Sequence, residues 1–338
     1  MAKKKKSMSA HKTRQQSNIE SIVPVRGRVI KNTGSAYLVR LENGEEVNSR
    51  IKGNFRIKGI RTTNPVAVGD IVEITLRDED VSYITSIEPR RNYIIRRASN
   101  LSKESHILGA NLDQAILVVS LVNPETPLTF IDRFLATSEA YNIPAKIIIN
   151  KSDLWDEDTR ELAEAIKRLY DGIGYATILF STVTGEGMDT LRSVIKDKIS
   201  LMAGNSGVGK SSIINILAPG AELRVGEVSD QHHTGMHTTT FSEMVDLPGG
   251  GQIIDIPGVK GFGVIDFEAE EVSHFFPEIF RIGRECRYGN CKHVAEPGCA
   301  VIPAVREHLI SESRYASYLS ILEEAEEEAG ADKYRKAY

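Results

Sequence analysis

The sequence predicts a multidomain α/β protein with three folded parts: a small β-barrel, a doubly wound and mostly parallel sheet, and a metal-binding helical domain. Five short alternating apolar segments before residue 97 predict the barrel. Apolar strands that alternate with helical segments predict the sheet. Three cysteines near one histidine predict the metal site. The predicted parts are therefore a basic tail (1–20), a barrel (21–97), an α/β domain (98–275) and a metal-binding domain with C-terminal helices (276–338).

Charge is distributed unevenly along the 338 residues. The whole chain has a formal charge of −4, yet its first 100 residues hold 20 Lys and Arg against 10 Asp and Glu. A basic front third suits a polyanionic partner, although surface lysines also serve solubility alone. No apolar run approaches the about 18 residues of a membrane span, and no signal peptide is visible. We therefore expect a cytoplasmic monomer without a membrane partner.

The tail is polar and basic, and we expect it to be disordered. Its KKKK run either contacts a phosphate backbone or is merely solvated. Barrel strands are predicted at 25–30, 36–41, 44–50, 71–76 and 81–87. An OB-fold is the commonest barrel of this kind that binds nucleic acid, but the strand pattern alone does not separate it from an SH3-like barrel. Six arginines suit a phosphate-contacting face: Arg26, Arg28, Arg40, Arg50, Arg56 and Arg61.

The α/β domain alternates between the two kinds of element. Its strands are predicted at 113–121, 145–149, 176–180, 201–203, 241–247 and 252–254, and its helices at 129–141, 159–171, 187–197 and 212–217. In a parallel sheet the ligand-binding loops gather at the carboxyl ends of the strands. The loops after these strands are therefore expected to form one site.

The segment GNSGVGKSS matches the phosphate-binding pattern of glycine, four residues, glycine, lysine and then serine or threonine. Its glycines let backbone N–H groups converge on phosphate oxygens without a Cβ in the way. Lys210 is expected to reach the β- and γ-phosphates, and Ser211 to ligate Mg²⁺. The predicted nucleotide-binding residues of this loop are Gly204, Asn205, Ser206, Gly207, Val208, Gly209, Lys210, Ser211 and Ser212.

The NKSD motif, which follows an apolar strand, predicts recognition of guanine. A carboxylate at Asp153 can accept hydrogen bonds from the ring N–H and the exocyclic amine, while Asn150 contacts the other base edge and Lys151 lies along the ring. Adenine lacks this pair of donors, and an unpaired buried carboxylate costs about 1–3 kcal/mol or more. The STV segment after the next strand adds Ser181 and Thr182 to the predicted base site.

Segments after the phosphate loop predict contacts with Mg²⁺ and the γ-phosphate. DIPG follows a strand, which places Asp255 to hold Mg²⁺ through water and the Gly258 N–H to face the phosphate. The GMHTTT segment supplies a threonine-rich loop. Its nucleotide-binding candidates are Thr238, Thr239 and Thr240, and Thr239 is also a catalytic candidate, as is Lys210.

The metal candidates Cys286, Cys291, His293 and Cys299 have the spacing C-x₄-C-x-H-x₅-C. Three thiolates and one imidazole are the ligands of a closed, structural Zn²⁺ site. Free reduced cysteines are the alternative. We expect one structural zinc per chain, followed by one or two helices within 304–328.

These motifs are those of GTPases in an altered order, because NKSD and STV precede GNSGVGKSS, HTTT and DIPG. The P-loop GTPase domain is thus circularly permuted. With a barrel before it and a Cys/His cluster after it, the chain resembles the RsgA family of ribosome-assembly GTPases over about residues 21–320. The resemblance implies an OB-fold in front, Mg²⁺-dependent hydrolysis of GTP to GDP, and the small ribosomal subunit with its rRNA as partner.

The resemblance also implies a catalytic candidate. Val259 stands where Ras-like GTPases carry a water-orienting glutamine, and an aliphatic side chain cannot orient water. In families of this type a histidine of the preceding switch is the suspected replacement, which here is His237; the alternative is a solvent-facing residue without a catalytic role. Two residues depart from the family pattern: Thr182 weakens the base contact inferred for its loop, and Asn205 replaces a glutamine.

Two other functions stay open at this point. A P-loop kinase or ATPase acting on a small molecule would share the phosphate loop, but NKSD argues against it. A nucleic-acid-binding protein could hold GTP only as a structural ligand. Turnover of GTP separates this last possibility from a GTPase.

Overall fold

The computed structural model describes residues 24–34, 36–51, 65–76, 82–97, 105–221, 242–256 and 267–336. Its first five strands are β1 (Val25–Asn32), β2 (Tyr37–Leu41), β3 (Glu46–Ile51), β4 (Ile71–Thr75) and β5 (Ser82–Ile87). Each corresponds to a predicted strand to within three residues at either end.

These five strands close on themselves in the order β1-β2-β3-β5-β4-β1. Neighbours are antiparallel except for β3 and β5, which run parallel. Alternate residues point inward, so that Val29, Val39, Val72, Ile74 and Ile84 are fully buried. This closed five-stranded order confirms an OB-like barrel, which alternation alone could not distinguish from an SH3-like one.

A hairpin that the sequence did not predict follows the barrel. Strands β6 (Tyr93–Arg97) and β7 (Ser105–Ala110) pair antiparallel and form a separate two-stranded sheet. Ile94 and Leu108, one from each strand, pack into the core of the α/β domain. The hairpin thus spans the boundary predicted at residue 97.

The central sheet contains six strands in the order β10-β9-β8-β11-β13-β12. In chain order these are β8 (Gln114–Ser120), β9 (Ala145–Asn150), β10 (Thr177–Leu179), β11 (Ile199–Ala203), β12 (Glu243–Asp246) and β13 (Gln252–Asp255). All adjacent pairs are parallel except β12–β13. The doubly wound, mostly parallel sheet is therefore confirmed.

Four helices cover the two faces of this sheet: α1 (Leu128–Ala140), α2 (Glu157–Gly172), α3 (Met188–Ile195) and α4 (Lys210–Leu217). Leu117 and Val119 of β8 pack with α1 and α2. Ile116 and Val118, which point the other way, pack with α3 and α4. Burial on both faces explains why this strand reads as a continuous apolar run instead of an alternating one.

Antiparallel pairing of β1 with β12 joins the barrel to the central sheet, with Lys31 opposite Glu243. Two ion pairs cross the same junction. Lys31 Nζ lies 2.9 Å from Glu243 Oε2, and Arg40 Nη2 lies 2.6 Å from Asp246 Oδ2. The barrel therefore contacts β12. This strand leads into β13, whose last residue, Asp255, begins the DIPG segment.

The C-terminal domain consists of α5 (Pro277–Gly283), α6 (Val301–Arg306) and α7 (Glu312–Lys336). Predicted helicity within 304–328 corresponds to α6 and α7, whereas α5 was not predicted. Val272, Phe276, Ile279, Ile310 and Ile321 are buried in its core together with Ala136 of α1. No helix among the described residues combines the length and the apolar character needed to cross a membrane.

A buried arginine connects this domain to the α/β domain. Arg314 of α7 donates from Nε and Nη2 to Glu278 of α5, at 2.7 and 3.1 Å. Its Nη1 donates to Asp132 of α1 at 3.0 Å. Asp132 also accepts from Tyr170 and Ser317, at 2.8 and 2.6 Å. One polar network therefore ties α7 to helices on both sides of the domain boundary.

Candidate nucleotide and metal sites

Four predicted motifs meet at the carboxyl edge of the parallel sheet. NKSD follows β9, STV follows β10, the phosphate loop follows β11, and Asp255 ends β13. Because these strands run in the same direction, their carboxyl ends share one edge. Residues far apart in the sequence thus surround a single site.

Three glycines of the phosphate loop have positive φ, and at two of them the structure leaves no room for a Cβ. A Cβ on Gly204 (φ 148°) would lie 2.2 Å from the Val118 carbonyl oxygen, and one on Gly209 (φ 99°) would lie 2.3 Å from Asn150 Nδ2. Neither distance is compatible with a side chain. Helix α4 begins at Lys210, directly after this turn, so its first N–H groups face the loop.

Lys210 lies inside the phosphate loop and is only 7% exposed. Its Nζ donates to the carbonyl oxygens of Gly204 and Asn205, at 2.7 and 2.8 Å. Burial lowers the pKa of Lys210, and nearby Asp255 opposes that change. Of the other loop residues, Val208 is buried, Ser206 is exposed, and Asn205, Gly207, Ser211 and Ser212 are partly exposed.

The base-recognition loop is tied directly to the phosphate loop. Asn150 is 2% exposed, and its Nδ2 donates to the Val208 carbonyl oxygen at 2.8 Å. Its Oδ1 is buried without a hydrogen-bond partner in the described chain. An unmatched buried acceptor is costly, so this atom points to a donor that the protein does not supply. The next residue, Lys151, has left-handed backbone geometry and donates from Nζ to the carbonyl oxygen of Asn123.

Asp153, the predicted guanine acceptor, is held by the second base loop. The Ser181 hydroxyl donates to Asp153 Oδ1 at 2.5 Å. Ser181 is fully buried, and its Oγ accepts from the backbone N–H groups of Val183 and Thr184, at 3.0 and 3.1 Å. Ser181 is predicted from the sequence to contact the base, whereas its hydrogen bond to Asp153 is visible only in the structure. Thr182, beside it, is partly exposed.

The residues near the predicted Mg²⁺ site fit a hard cation. Asp255 Oδ1 is buried and has no hydrogen-bond partner in the described part of the chain. Burial raises the pKa of Asp255, while Lys210 acts in the opposite direction. A carboxylate oxygen and the Ser211 hydroxyl are ligands that Mg²⁺ accepts. The candidates His237, Thr238, Thr239, Thr240 and Gly258 lie outside the described residues.

The four predicted zinc ligands converge in the C-terminal domain. One ligand atom from each of Cys286, Cys291, His293 and Cys299 lies within 4.8 Å of all the others. The Nδ1 atom of His293 is 3.5 Å from Cys286 Sγ and 3.6 Å from Cys299 Sγ, and the two sulfurs are 4.0 Å apart. Zn–S bonds of about 2.3 Å in a tetrahedron require sulfurs about 3.8 Å apart. The cluster thus has nearly the dimensions of a Cys₃His zinc site.

The surrounding chain supports this cluster. The Glu296 carboxylate accepts from the N–H groups of Lys292 and Val294, at 2.7 and 2.9 Å, which folds the loop between the ligands. The Ala300 N–H donates to Cys286 Sγ at 3.2 Å. Burial raises the pKa of Cys291 to about 12, so this thiol needs a positive partner to ionise.

The arginine-rich barrel surface is more nearly neutral than the sequence suggested. Arg26 pairs with Glu88 and Glu42, at 2.6 and 2.9 Å. Arg40 pairs with Glu46 and Asp246. Arg50 is exposed, Arg28 is partly exposed, and Arg56 and Arg61 lie outside the described residues. Two of the six arginines are therefore bound by carboxylates of the protein itself.

Comparison with known proteins relates the chain to one family. The family model described as RsgA GTPase matches residues 87–265, and the model of the RsgA N-terminal domain matches residues 26–84. A protein of Bacteroides fragilis (strain YCH46) named small ribosomal subunit biogenesis GTPase RsgA is 58% identical over 314 residues, which are 93% of this chain and 100% of that protein. The protein of the same name from Porphyromonas gingivalis (strain ATCC 33277) is 56% identical, covering 92% of this chain and 99% of that protein.

Two solved structures share the fold over most of the chain. YjeQ from Thermotoga maritima is 33% identical with a TM-score of 0.71, over 90% of this chain and 99% of YjeQ. YloQ, described as a circularly permuted GTPase, is 29% identical with a TM-score of 0.68, over 92% of this chain and 98% of YloQ. The permuted order inferred from the motifs agrees with that description.

Proposed function

The chain belongs to the RsgA GTPase family, and on that basis we propose that it hydrolyses GTP to GDP and phosphate as a late assembly factor of the small ribosomal subunit. Relatives that are more than half identical over nearly their whole length are named small ribosomal subunit biogenesis GTPase. The partner is then the small subunit with its rRNA. Such a factor works in the cytoplasm, and we propose that it acts there as a monomer without a membrane partner.

The observation that carries nucleotide binding is the direct contact between the two recognition loops. Asn150 of the base loop donates to the Val208 carbonyl oxygen of the phosphate loop at 2.8 Å. The same side chain keeps Oδ1 buried and unmatched. A nucleotide across this edge would meet a phosphate cradle and a base-reading loop that are already held together.

Guanine selectivity rests on Asp153. Its Oδ1 accepts a hydrogen bond from Ser181, so the carboxylate is oriented before a nucleotide binds. It keeps acceptor capacity for the two donors of guanine. Adenine would leave that carboxylate without those donors, which disfavours the ATPase alternative. Lys151 and Thr182 complete the proposed base contacts.

For hydrolysis, water must attack the γ-phosphorus while the bond to the β–γ bridging oxygen breaks. We assign Lys210 to the β- and γ-phosphates, where its buried ammonium meets developing negative charge. Ser211 and Asp255 would hold Mg²⁺, which when bound supplies positive charge to the phosphate oxygens. His237 and Thr239 remain the candidates for orienting water and closing the site.

The C-terminal cluster has a structural role in this proposal. Its four side chains would fill every coordination position of a tetrahedral zinc ion and leave none for substrate. The remaining polyanion-binding surface is the N-terminal third, whose formal charge is strongly positive. We propose that this part docks on rRNA.

A GTPase assay with and without purified small subunits tests the assembly role. The sharper test of the base site is Asp153→Asn, which should shift preference from GTP toward xanthosine triphosphate. An amide offers a donor where guanine also offers one, whereas xanthine offers an acceptor. GTP affinity equal to that of the wild type would refute the role given to Asp153.

A further inference from the structure

We infer that Glu186 is a positioning residue that fixes the two base-recognition loops relative to each other. The inference rests on the proposed guanine site. Glu186 belongs to neither the NKSD nor the STV motif and lies in the loop that leads from β10 into α3. Its carboxylate nonetheless contacts both the NKSD loop and the helix that follows that loop.

Three hydrogen bonds define the contact. The Ser152 hydroxyl donates to Glu186 Oε2 at 2.5 Å. The Arg160 guanidinium of α2 donates to both carboxylate oxygens, at 3.0 and 2.7 Å. Hydrogen bonding from Arg160 lowers the pKa of Glu186, with Ser152 acting in the same direction, so the carboxylate is charged at neutral pH.

The backbone around Glu186 extends this connection to the STV loop. The Ser181 N–H donates to the Glu186 carbonyl oxygen at 3.1 Å, which closes the loop on itself. The Glu186 N–H donates to the Thr184 hydroxyl at 3.3 Å. Glu186 is thus joined through its backbone to the residue that orients Asp153, and through its side chain to the neighbour of Asp153.

Two side-chain links therefore join the loops, Ser181 to Asp153 and Glu186 to Ser152, beside one backbone hydrogen bond from the Ser152 N–H to the Phe180 carbonyl oxygen at 3.1 Å. Breaking one link leaves the specificity carboxylate attached but free to tilt. Binding would then have to order the loop at the expense of affinity. This cost applies to ligands that contact the base loops and not to ligands that contact only the phosphate loop.

The alternative is an ordinary surface ion pair, since the Glu186 and Arg160 side chains are 33% and 44% exposed. Such pairs contribute little to stability. A positioning residue and an ordinary ion pair differ in one measurable quantity. This is the ratio of the affinity for GDP to the affinity for inorganic tripolyphosphate, which has no base. A general loss of stability lowers both affinities, whereas misplaced base loops lower only the first.

The experiment is calorimetric titration of the full chain with Mg²⁺ and either GDP or tripolyphosphate. The variants are Glu186→Gln, Ser152→Ala and the double substitution. Asp189→Asn is the matched control, because it removes the same charge only three residues further along the chain. Asp189 pairs with Arg192 at the surface, and among the described residues its side chain contacts neither base loop. The single tryptophan, Trp155, lies under Arg160 and reports independently whether this corner has moved.

We expect Glu186→Gln to weaken GDP about fivefold and to leave tripolyphosphate within twofold. Ser152→Ala should do the same, and the double variant should be no worse than the stronger single one, because both changes break one link. In the same titration, the affinity of Glu186→Gln for xanthosine diphosphate should not rise, in contrast with Asp153→Asn.

Equal losses for GDP and tripolyphosphate, additive effects of the two substitutions, or a GDP affinity like that of Asp189→Asn would overturn the role of Glu186. Failure of the proposed function looks different. In that case the wild type itself would not prefer GDP to ADP, whatever the variants do.

Discussion

Replacing Arg314 by methionine should produce a large loss of stability. The Arg314 side chain is completely buried, and it pairs with Glu278 and Asp132, which are also buried. Its guanidinium also lies 4.6 Å from the centre of the Phe276 ring. Methionine keeps most of the volume and removes the charge, so the change isolates the ion pairs from the packing.

The expected magnitude follows from what is left behind. Two carboxylates would remain in the interior without their cation, a situation that costs about 3–5 kcal/mol of unfolding free energy. With a urea m-value of about 2–3 kcal/mol per M, the unfolding midpoint should fall by about 1–2 M. Circular dichroism and Trp155 fluorescence measure the transition.

Arg133→Met is the matched control, because Arg133 also joins α1 to α7. It pairs with Glu324 at 2.5 Å, but on the surface, where the Glu324 side chain is 49% exposed. An exposed pair of this kind contributes about 0–1 kcal/mol. If Arg314→Met costs no more than Arg133→Met, the buried network does not hold the C-terminal domain in place.

Three further outcomes are expected. Elemental analysis should find about one zinc per chain, lost in Cys286→Ser together with folding of the C-terminal domain, because zinc binding there contributes folding free energy; a folded, metal-free domain would contradict this. Gly209→Ala should weaken GDP at least about tenfold in a binding titration, since its Cβ would collide with the Asn150 amide; Gly172→Ala, where the added Cβ meets nothing, is the control. Small subunits should stimulate hydrolysis about 10²-fold, less at high salt, and His237→Ala should abolish most of the stimulation while GTP binding persists; normal stimulation of that variant would remove His237 from the mechanism.

Elements with a strong local signal were predicted from the sequence. A strand that is buried on both faces, such as β8, has a continuous apolar run, and a barrel strand buried on one face alternates between apolar and polar residues. Both patterns involve only neighbouring residues, so they are visible in the sequence. The structure confirms the barrel, the parallel sheet and, in the C-terminal domain, helices α6 and α7. The hairpin β6–β7 and helix α5 were missed because each is short and lacks a clear period.

The ligand-binding roles of the motifs were also predicted from the sequence, because each motif consists of a few consecutive residues whose geometry depends on short-range sterics. The glycines of the phosphate loop illustrate this, since their positive φ values follow from the turn that the motif forms. The conclusion that four motifs serve one site also followed from sequence, because parallel strands must end at a common edge.

Only the tertiary structure decided which side chains are paired with one another. Arg26 and Arg40 looked free in the sequence. The partners of Arg26, Glu42 and Glu88, lie in the turns directly after β2 and β5, and those of Arg40 lie on β3 and β12. The contact of Ser181 with Asp153, the bridge from Glu186 to Ser152, and the burial of Arg314 likewise join residues that no spacing rule relates. Such contacts depend on the path of the chain between the partners and on the twist and register of the sheet. Local sequence specifies the chemical groups, whereas long-range packing specifies which of them meet.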